Sequence, residues 1–309
     1  MHLGFSFFAA HVAASSLLVG NLTSTNCADV SAFQQCQNNA IEKSNACFSK
    51  AGGSVEAQQG CACETYIMNY NCYATSCWNR VWECEYQSYI ISYLLYCPTA
   101  KLPVPYFPIP DGAQDACSCN FGKIYQAITD SVNQGATCMK NVNSQGLNPL
   151  KLAACGCCEI SGMQSSIWET CPDVDPSLAG MQYVSRFETN LDIQFSECSP
   201  MTKINCASDL GFSLAGVSTY YAPNQFPASG TASPTNKPGS VTTPASGSVF
   251  TYTNGGDKVA YTITAAPFVA KDGSGGSGAQ TTASKKNAAK QLRSRYWPAV
   301  GLSLFSLLL

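Results

Sequence analysis

All eighteen cysteines lie between Cys27 and Cys206, and both histidines, His2 and His11, precede them. As free thiols, close sets such as Cys61-Ala-Cys63 and Cys155-Gly-Cys157-Cys158 could bind a soft metal. In an oxidising compartment the same even set forms disulfides instead, and no metal site is expected. If the N-terminal stretch is removed, no imidazole remains, which excludes histidine-based acid–base catalysis and histidine-ligated metals. A serine or cysteine nucleophile then lacks its usual base. Carboxylate pairs of the kind used in glycoside hydrolysis occur as Glu83/Glu85, flanking Cys84, and as Asp173/Asp175. Both read as solvated surface charge, so no catalytic residue and no enzymatic activity are expected.

The ends of the chain set the expected compartment. An apolar run from Leu3 to Ala10, followed by small residues, reads as a signal peptide over residues 1 to 20. At the other end, the small triplet Asn287-Ala288-Ala289 precedes a basic spacer and an apolar tail ending at Leu309. That order is the signal for a GPI anchor, with attachment at Asn287 and residues 288 to 309 removed. Ser284 and the Ser277-Gly278-Ala279 triplet are alternative attachment points, and a retained tail anchor is the alternative to cleavage. The sequon Asn21-Leu22-Thr23 makes Asn21 a glycosylation candidate. Residues 27 to 212 carry 9 basic and 17 acidic side chains, a net charge of −8, which disfavours nucleic acid as a partner. The expected location is the outer face of the plasma membrane or the cell wall. The expected partners are the membrane, through the anchor, and cell-wall polysaccharide or a host surface.

The cysteines must be positioned by a small scaffold, and the periodicity of the chain is helical. Val30, Phe33, Cys36, Ala40 and Cys47 share one face of a helix running to about Lys50. Phe121, Ile124, Ile128 and Val132 do the same ahead of Cys138, and Leu178, Met181, Val184 and Leu191 do so more loosely. Trp78, Trp82, Tyr86, Tyr89, Tyr93 and Tyr96 form an aromatic stripe at helical spacing. On one continuous helix Cys77 and Cys84 would sit roughly 10 Å apart, too far to bridge each other. The same argument separates Cys84 from Cys97, and adjacent Cys157 and Cys158 must take different partners.

The proline-rich segment 98 to 112 cannot be helical and divides the cysteines nine and nine. The odd count on each side requires a bridge between the halves, residues 27 to 97 and 113 to 212. The halves read as a degenerate duplication. Cys47 and Cys61-x-Cys63 match Cys138 and Cys155-x-Cys157, and Cys84-x12-Cys97-Pro98 matches Cys158-x12-Cys171-Pro172. Residues 213 to 287 have no cysteine and are rich in Ser, Thr, Gly and Pro, which reads as a disordered, O-glycosylated stalk. Within it, residues 248 to 264 alternate around Asn254-Gly255-Gly256-Asp257 as a β-hairpin, read as locally ordered rather than docked.

The spacing Cys36-x10-Cys47, Cys61-x-Cys63, Cys72-x4-Cys77 and later Cys97 resembles the CFEM module, an eight-cysteine fungal extracellular domain. The resemblance covers about residues 27 to 97. It implies a helical fold and, for some members, a haem pocket in which an aspartate before the C-x-C pair ligates iron. Here that segment, residues 48 to 60, holds Glu56 as its one carboxylate. The candidate ligand slot is therefore Glu56 with Tyr66, Tyr70, Trp78, Trp82, Tyr86 and Tyr89. The competing reading makes these rings the core of a small domain, or a platform for sugar rings.

The expected fold is mainly α: a small disulfide-stapled helical ectodomain followed by a stalk. Its disulfides use Cys27, Cys36, Cys47, Cys61, Cys63, Cys72, Cys77, Cys84, Cys97, Cys117, Cys119, Cys138, Cys155, Cys157, Cys158, Cys171, Cys198 and Cys206, with the pairing left open. The favoured function is a non-catalytic surface glycoprotein with a structural, adhesive or host-contact role and no cofactor. The alternatives are a haem-binding or small apolar ligand-binding module and, last, a carbohydrate-active protein.

Overall fold

The computed structural model describes residues 22–146 and 148–269. Four of its helices begin where a side-chain oxygen meets the unpaired N–H groups of the first turn. The Asp29 carboxylate accepts from Ala32 N–H at 2.9 Å and opens α1 (Val30–Ala51). Gly52, at φ 55°, then ends α1 in a conformation that a Cβ would disfavour. Ser54 Oγ accepts from Ala57 N–H at 3.2 Å and opens α2 (Val55–Ser76). After α3 (Cys84–Tyr96), the device recurs with Asn120 ahead of α4 (Phe121–Ser144) and Asn148 ahead of α5 (Pro149–Thr170). Pro149 fits the first turn of α5 because an N–H there would have no intrahelical partner. The last long element is α6 (Met181–Leu191).

All eighteen cysteines are paired. Cys47–Cys61 closes the turn between α1 and α2, and Cys27–Cys77 closes the open end of the same hairpin. Cys138–Cys155 and Cys119–Cys171 do the same for α4 and α5. Cys63–Cys97 ties α2 to the end of α3, and Cys157–Cys198 ties α5 to the segment after α6. Three bridges therefore occupy corresponding places in the two halves: sequence separations of 50, 14 and 34 in the first half answer 52, 17 and 41 in the second. Cys36–Cys72 belongs to the first half alone and Cys158–Cys206 to the second. Cys84–Cys117 is the bridge between halves that the odd counts require.

Two expectations need correction. Cys171 caps α5 as Cys77 caps α2, so its counterpart is Cys77 and not Cys97. The shared x12 spacing compares the whole of α3 with the last turns of α5. The aromatic stripe is also not one helix. α2 stops at Ser76, a 3-10 turn covers Trp78–Arg80, and α3 starts only at Cys84. Cys77 and Cys84 take different partners, as expected, but from different elements. The connector 98 to 112 is non-helical as expected, yet Val104, Tyr106, Phe107 and Ile109 are buried in the main core.

The largest departure lies at residues 213–269, which are not a disordered stalk but a strap laid across the helices. Upstream, Ala232 N–H donates to Asp173 O at 3.0 Å, and Ser118 N–H donates to Thr235 O at 2.7 Å. The hairpin is formed by β1 (Val249–Thr253) and β2 (Ala260–Thr264), paired antiparallel from Val249↔Thr264 to Thr253↔Ala260. It docks rather than standing free. Tyr252 O–H donates to Asn71 Oδ1 at 2.6 Å, Phe250 meets Tyr106 edge-on at 5.4 Å, and Gly255 N–H donates to Pro103 O at 3.0 Å. The Leu102 carbonyl occupies the place a Cβ on Gly255 would need. Beyond the hairpin, Ala266 N–H donates to Thr75 O and Val269 N–H to Ala28 O, both at 2.8 Å.

Composition misleads here because small residues contribute little apolar area. They do allow the backbone to approach closely, and the strap is held by main-chain hydrogen bonds and a few aromatic anchors. The signal peptide over 1 to 20, the sequon residue Asn21, the attachment residue Asn287 and residues 288 to 309 lie outside the described residues, as does the stalk from 270 to 287. No described helix is long and apolar enough to cross a membrane.

The hairpin turn depends on one buried amide. Asn254 is fully buried, its Nδ2 donates to Tyr70 O–H, and its Oδ1 accepts from Gly256 N–H at 2.8 Å and Asp257 N–H at 3.0 Å. Replacing it strands these donors away from water. Asn254→Ala should cost about 2 kcal/mol of stability. Amide hydrogen exchange should accelerate first across residues 249 to 264. Unchanged protection there would mean the hairpin docks without this amide.

Candidate functional site

The expected ligand slot is a filled core. Tyr66, Tyr70 and Tyr86 are at most 1% exposed, and Trp78, Trp82 and Tyr89 at most 8%. Their ring neighbours are other aromatic side chains, with Trp78 set against Phe268 at 6.2 Å. Tyr66 meets Tyr89 at 5.1 Å between ring centroids, Tyr70 meets Tyr93 at 5.4 Å, Tyr73 stacks on Tyr86 at 5.3 Å, and Trp82 meets Tyr106 at 5.4 Å. Desolvation raises the Tyr66 phenol to about 12 and pushes Tyr70, Tyr86 and Tyr89 up as well. Glu56 lies apart from them. It is exposed in the first turn of α2, hydrogen-bonded by Ser54 Oγ at 3.3 Å. Ten residues of helix, about 15 Å, separate it from Tyr66. The structure does not bring the proposed iron ligand and the aromatic slot together.

Three of the four paired carboxylates are also engaged. Glu83 is buried and accepts two bonds from Arg80, at 2.9 and 2.7 Å, so it is not the solvated charge its sequence neighbours suggest. Arg80 also contacts Glu85 at 3.2 Å, and Glu85 accepts from Tyr73 O–H at 3.1 Å and from Thr23 N–H at 2.8 Å. Asp115, packed near this group, is pushed up by desolvation and by the Glu83 charge. The Asp175 carboxylate accepts from Ser177 N–H at 2.9 Å within an exposed turn, and hydrogen bonding to the Ser177 side chain and then to its backbone lowers its pKa. Cys155 and Cys158, which hold C-x-x-C spacing along α5, pair with Cys138 and Cys206 rather than with each other. Among the described residues, no three His, Cys, Asp or Glu side chains gather into a metal-binding group.

A different region is open. The last turns of α5 place Gln164 and Trp168 one turn apart, and α6 places Glu188 opposite them, with Gln164 Nε2 3.4 Å from Glu188 Oε1. Asp192, at φ 53°, ends α6 and turns the chain into Gln194 and a 3-10 turn at Phe195–Glu197. Cys198 anchors that turn to Cys157 on α5. The strap forms the remaining wall. The Glu169 carboxylate accepts from Ser218 N–H at 2.7 Å and Thr219 N–H at 2.8 Å, while Ser161 Oγ donates to Tyr221 O at 2.8 Å. Trp168 Nε1–H donates to Pro227 O at 3.1 Å, which sets Phe226 against the indole at 4.7 Å.

The result is a cleft of about 310 Å³ lined by Gln164, Glu188, Gln194, Phe195, Asn224 and Phe226, among others. Burial raises the Glu188 carboxyl, opposed by a hydrogen bond from the Phe195 backbone. None of these residues was a sequence candidate. The one available signal was Tyr220, Tyr221 and Phe226, three aromatic rings in an otherwise small-residue segment.

One buried acid stands apart from the cleft. Glu159, 3% exposed on α5, faces Gly135 of α4, where a Cβ would collide with its carboxyl. Desolvation alone raises its pKa from 4.5 to about 8. The folded state thus keeps a proton that the unfolded chain releases, and stability should fall as pH rises between 4.5 and about 8. Thermal melts of Glu159→Gln should lose this slope and show the larger gain at the alkaline end. A parallel slope in both proteins would assign the pH dependence elsewhere. Haemin titration of the protein should give no saturable one-to-one Soret shift, because the rings that would sandwich it are packed on one another. A saturable shift weakened by Glu56→Ala would overturn that packing argument.

Comparison with protein-family models, with curated proteins and with solved structures finds no match for this chain.

Proposed function

We propose that the chain is a non-catalytic, GPI-anchored glycoprotein of the cell surface or cell wall, with a structural, adhesive or host-contact role. The observation that carries this reading is the use of all eighteen cysteines in nine bridges. Such a framework persists in an oxidising, extracellular setting and would be reduced in the cytosol. The aromatic side chains of the expected haem slot are packed among other rings, Glu83 and Glu85 are paired with Arg80, and Asp175 is held in a turn by Ser177. The small triplet at Asn287 with its spacer and apolar tail supports the lipid anchor.

Phosphatidylinositol-specific phospholipase C applied to intact expressing cells should release the protein into the medium. Deleting residues 296–309 should divert it to the medium without the enzyme. Surface protein that resists the phospholipase and stays with the membrane would replace the lipid anchor with a retained tail. Protein held inside the cell with reduced thiols would overturn the surface reading.

A further inference from the structure

We propose that the cleft between α5, α6 and the strap binds a neutral sugar unit, such as the end or branch of a polysaccharide chain. The inference deepens the surface reading, on which it rests for the source of the sugar, though not for the chemistry of the site.

Four features converge. The volume, about 310 Å³, lies at the lower end of the range for small-ligand sites and suits one or two pyranose rings. Its apolar wall is aromatic, with Phe226 and Phe195 held at 6.0 Å and backed by Trp168 and Tyr221, so an apolar sugar face has a rigid surface to lie on. Its rim is planar and polar. The amides of Gln194 and Asn224 each offer two heteroatoms in a plane, which suits pairs of adjacent hydroxyls, while the Gln164 amide and the Glu188 carboxyl beside them are already joined to each other at 3.4 Å. No lysine or arginine lines the cleft, so a phosphate, sulfate or uronate would meet only Glu188 and be repelled.

The walls are also fixed in advance. Gln164 is 5% exposed, and the strap wall is tied to α5 through Glu169, Ser161 and Trp168. A preformed wall spares the ligand the cost of ordering it.

The test is saturation-transfer NMR and calorimetry on the purified protein with its nine disulfides formed. The probes are neutral β-glucan, mannan and chitin oligosaccharides, with an oligouronate as the charged comparison. At least one neutral oligosaccharide should bind saturably and the oligouronate should not. Phe226→Ala should weaken binding roughly fivefold to tenfold, as expected for loss of one stacking face. Gln194→Ala, an exposed position that leaves the core untouched, should weaken it severalfold with the thermal melt unchanged. No saturable binding of any neutral probe would overturn the proposal, as would binding indifferent to both substitutions or equal binding of the oligouronate. Because the titration needs no membrane, its failure is distinct from failure of phospholipase release.

Discussion

Two helices side by side bury little apolar surface on their own, and each hairpin here is closed covalently at both ends. Cys47–Cys61 and Cys27–Cys77 bound the first, and Cys138–Cys155 and Cys119–Cys171 bound the second. Each open-end bridge closes a loop of about fifty residues, worth roughly 4 kcal/mol in lost unfolded-state entropy by the chain model. With that constraint in place, side chains need not supply the whole driving force. Gly135, Gly156 and Gly162 can sit in helix contacts, where they admit Glu159, Ile193 and Leu214. A strap of small residues can then be laid over a surface that is already rigid.

The dependence runs through the core as well. Tyr73 lies between Phe33 of α1 and Tyr86 of α3, and its hydroxyl reaches Glu85 within the Arg80 group. Arg80 in turn donates to the Thr25 carbonyl, so the segment ahead of α1 is joined to the turn between α2 and α3. Rings with polar tips are useful in such a core, because they fill volume and several also terminate a hydrogen bond. Tyr70, Tyr86 and Tyr93 do this toward Asn254, Pro105 and Asn254 respectively.

Sequence periodicity located α1 and α4 closely because each shows one apolar face toward one neighbour. It passed over α5, which is buried nearly all round from Ala154 to Ile167 and so has no polar face to define a period. It fused the region after α2 with α3, since aromatic spacing continued through a turn that backbone geometry had broken. The odd cysteine counts predicted the inter-half bridge correctly, because parity does not depend on geometry. The pairing itself was beyond reach, since equal spacings such as the two x12 intervals fall on unrelated elements. The candidate cleft was invisible for a similar reason. Its groups come from three stretches far apart in the chain, and one of those stretches has the composition of a linker. What a linker-like composition predicts is weak side-chain burial, and it is silent about backbone pairing.

The return of the strap has a directional consequence. Val269 hydrogen-bonds Ala28, beside the residues that open α1, and Phe268 lies 6.2 Å from Trp78, just past the end of α2. Residues 266 to 269 therefore lie beside Ala28 and the end of α2, at the base of the first hairpin. The turn of that hairpin, at Gly52 and Gly53, is the length of α1 away, about 33 Å for its 22 residues. Ala28 and Val269 share one pole of this hairpin, and its glycine turn, flanked by the exposed Val55, forms the other.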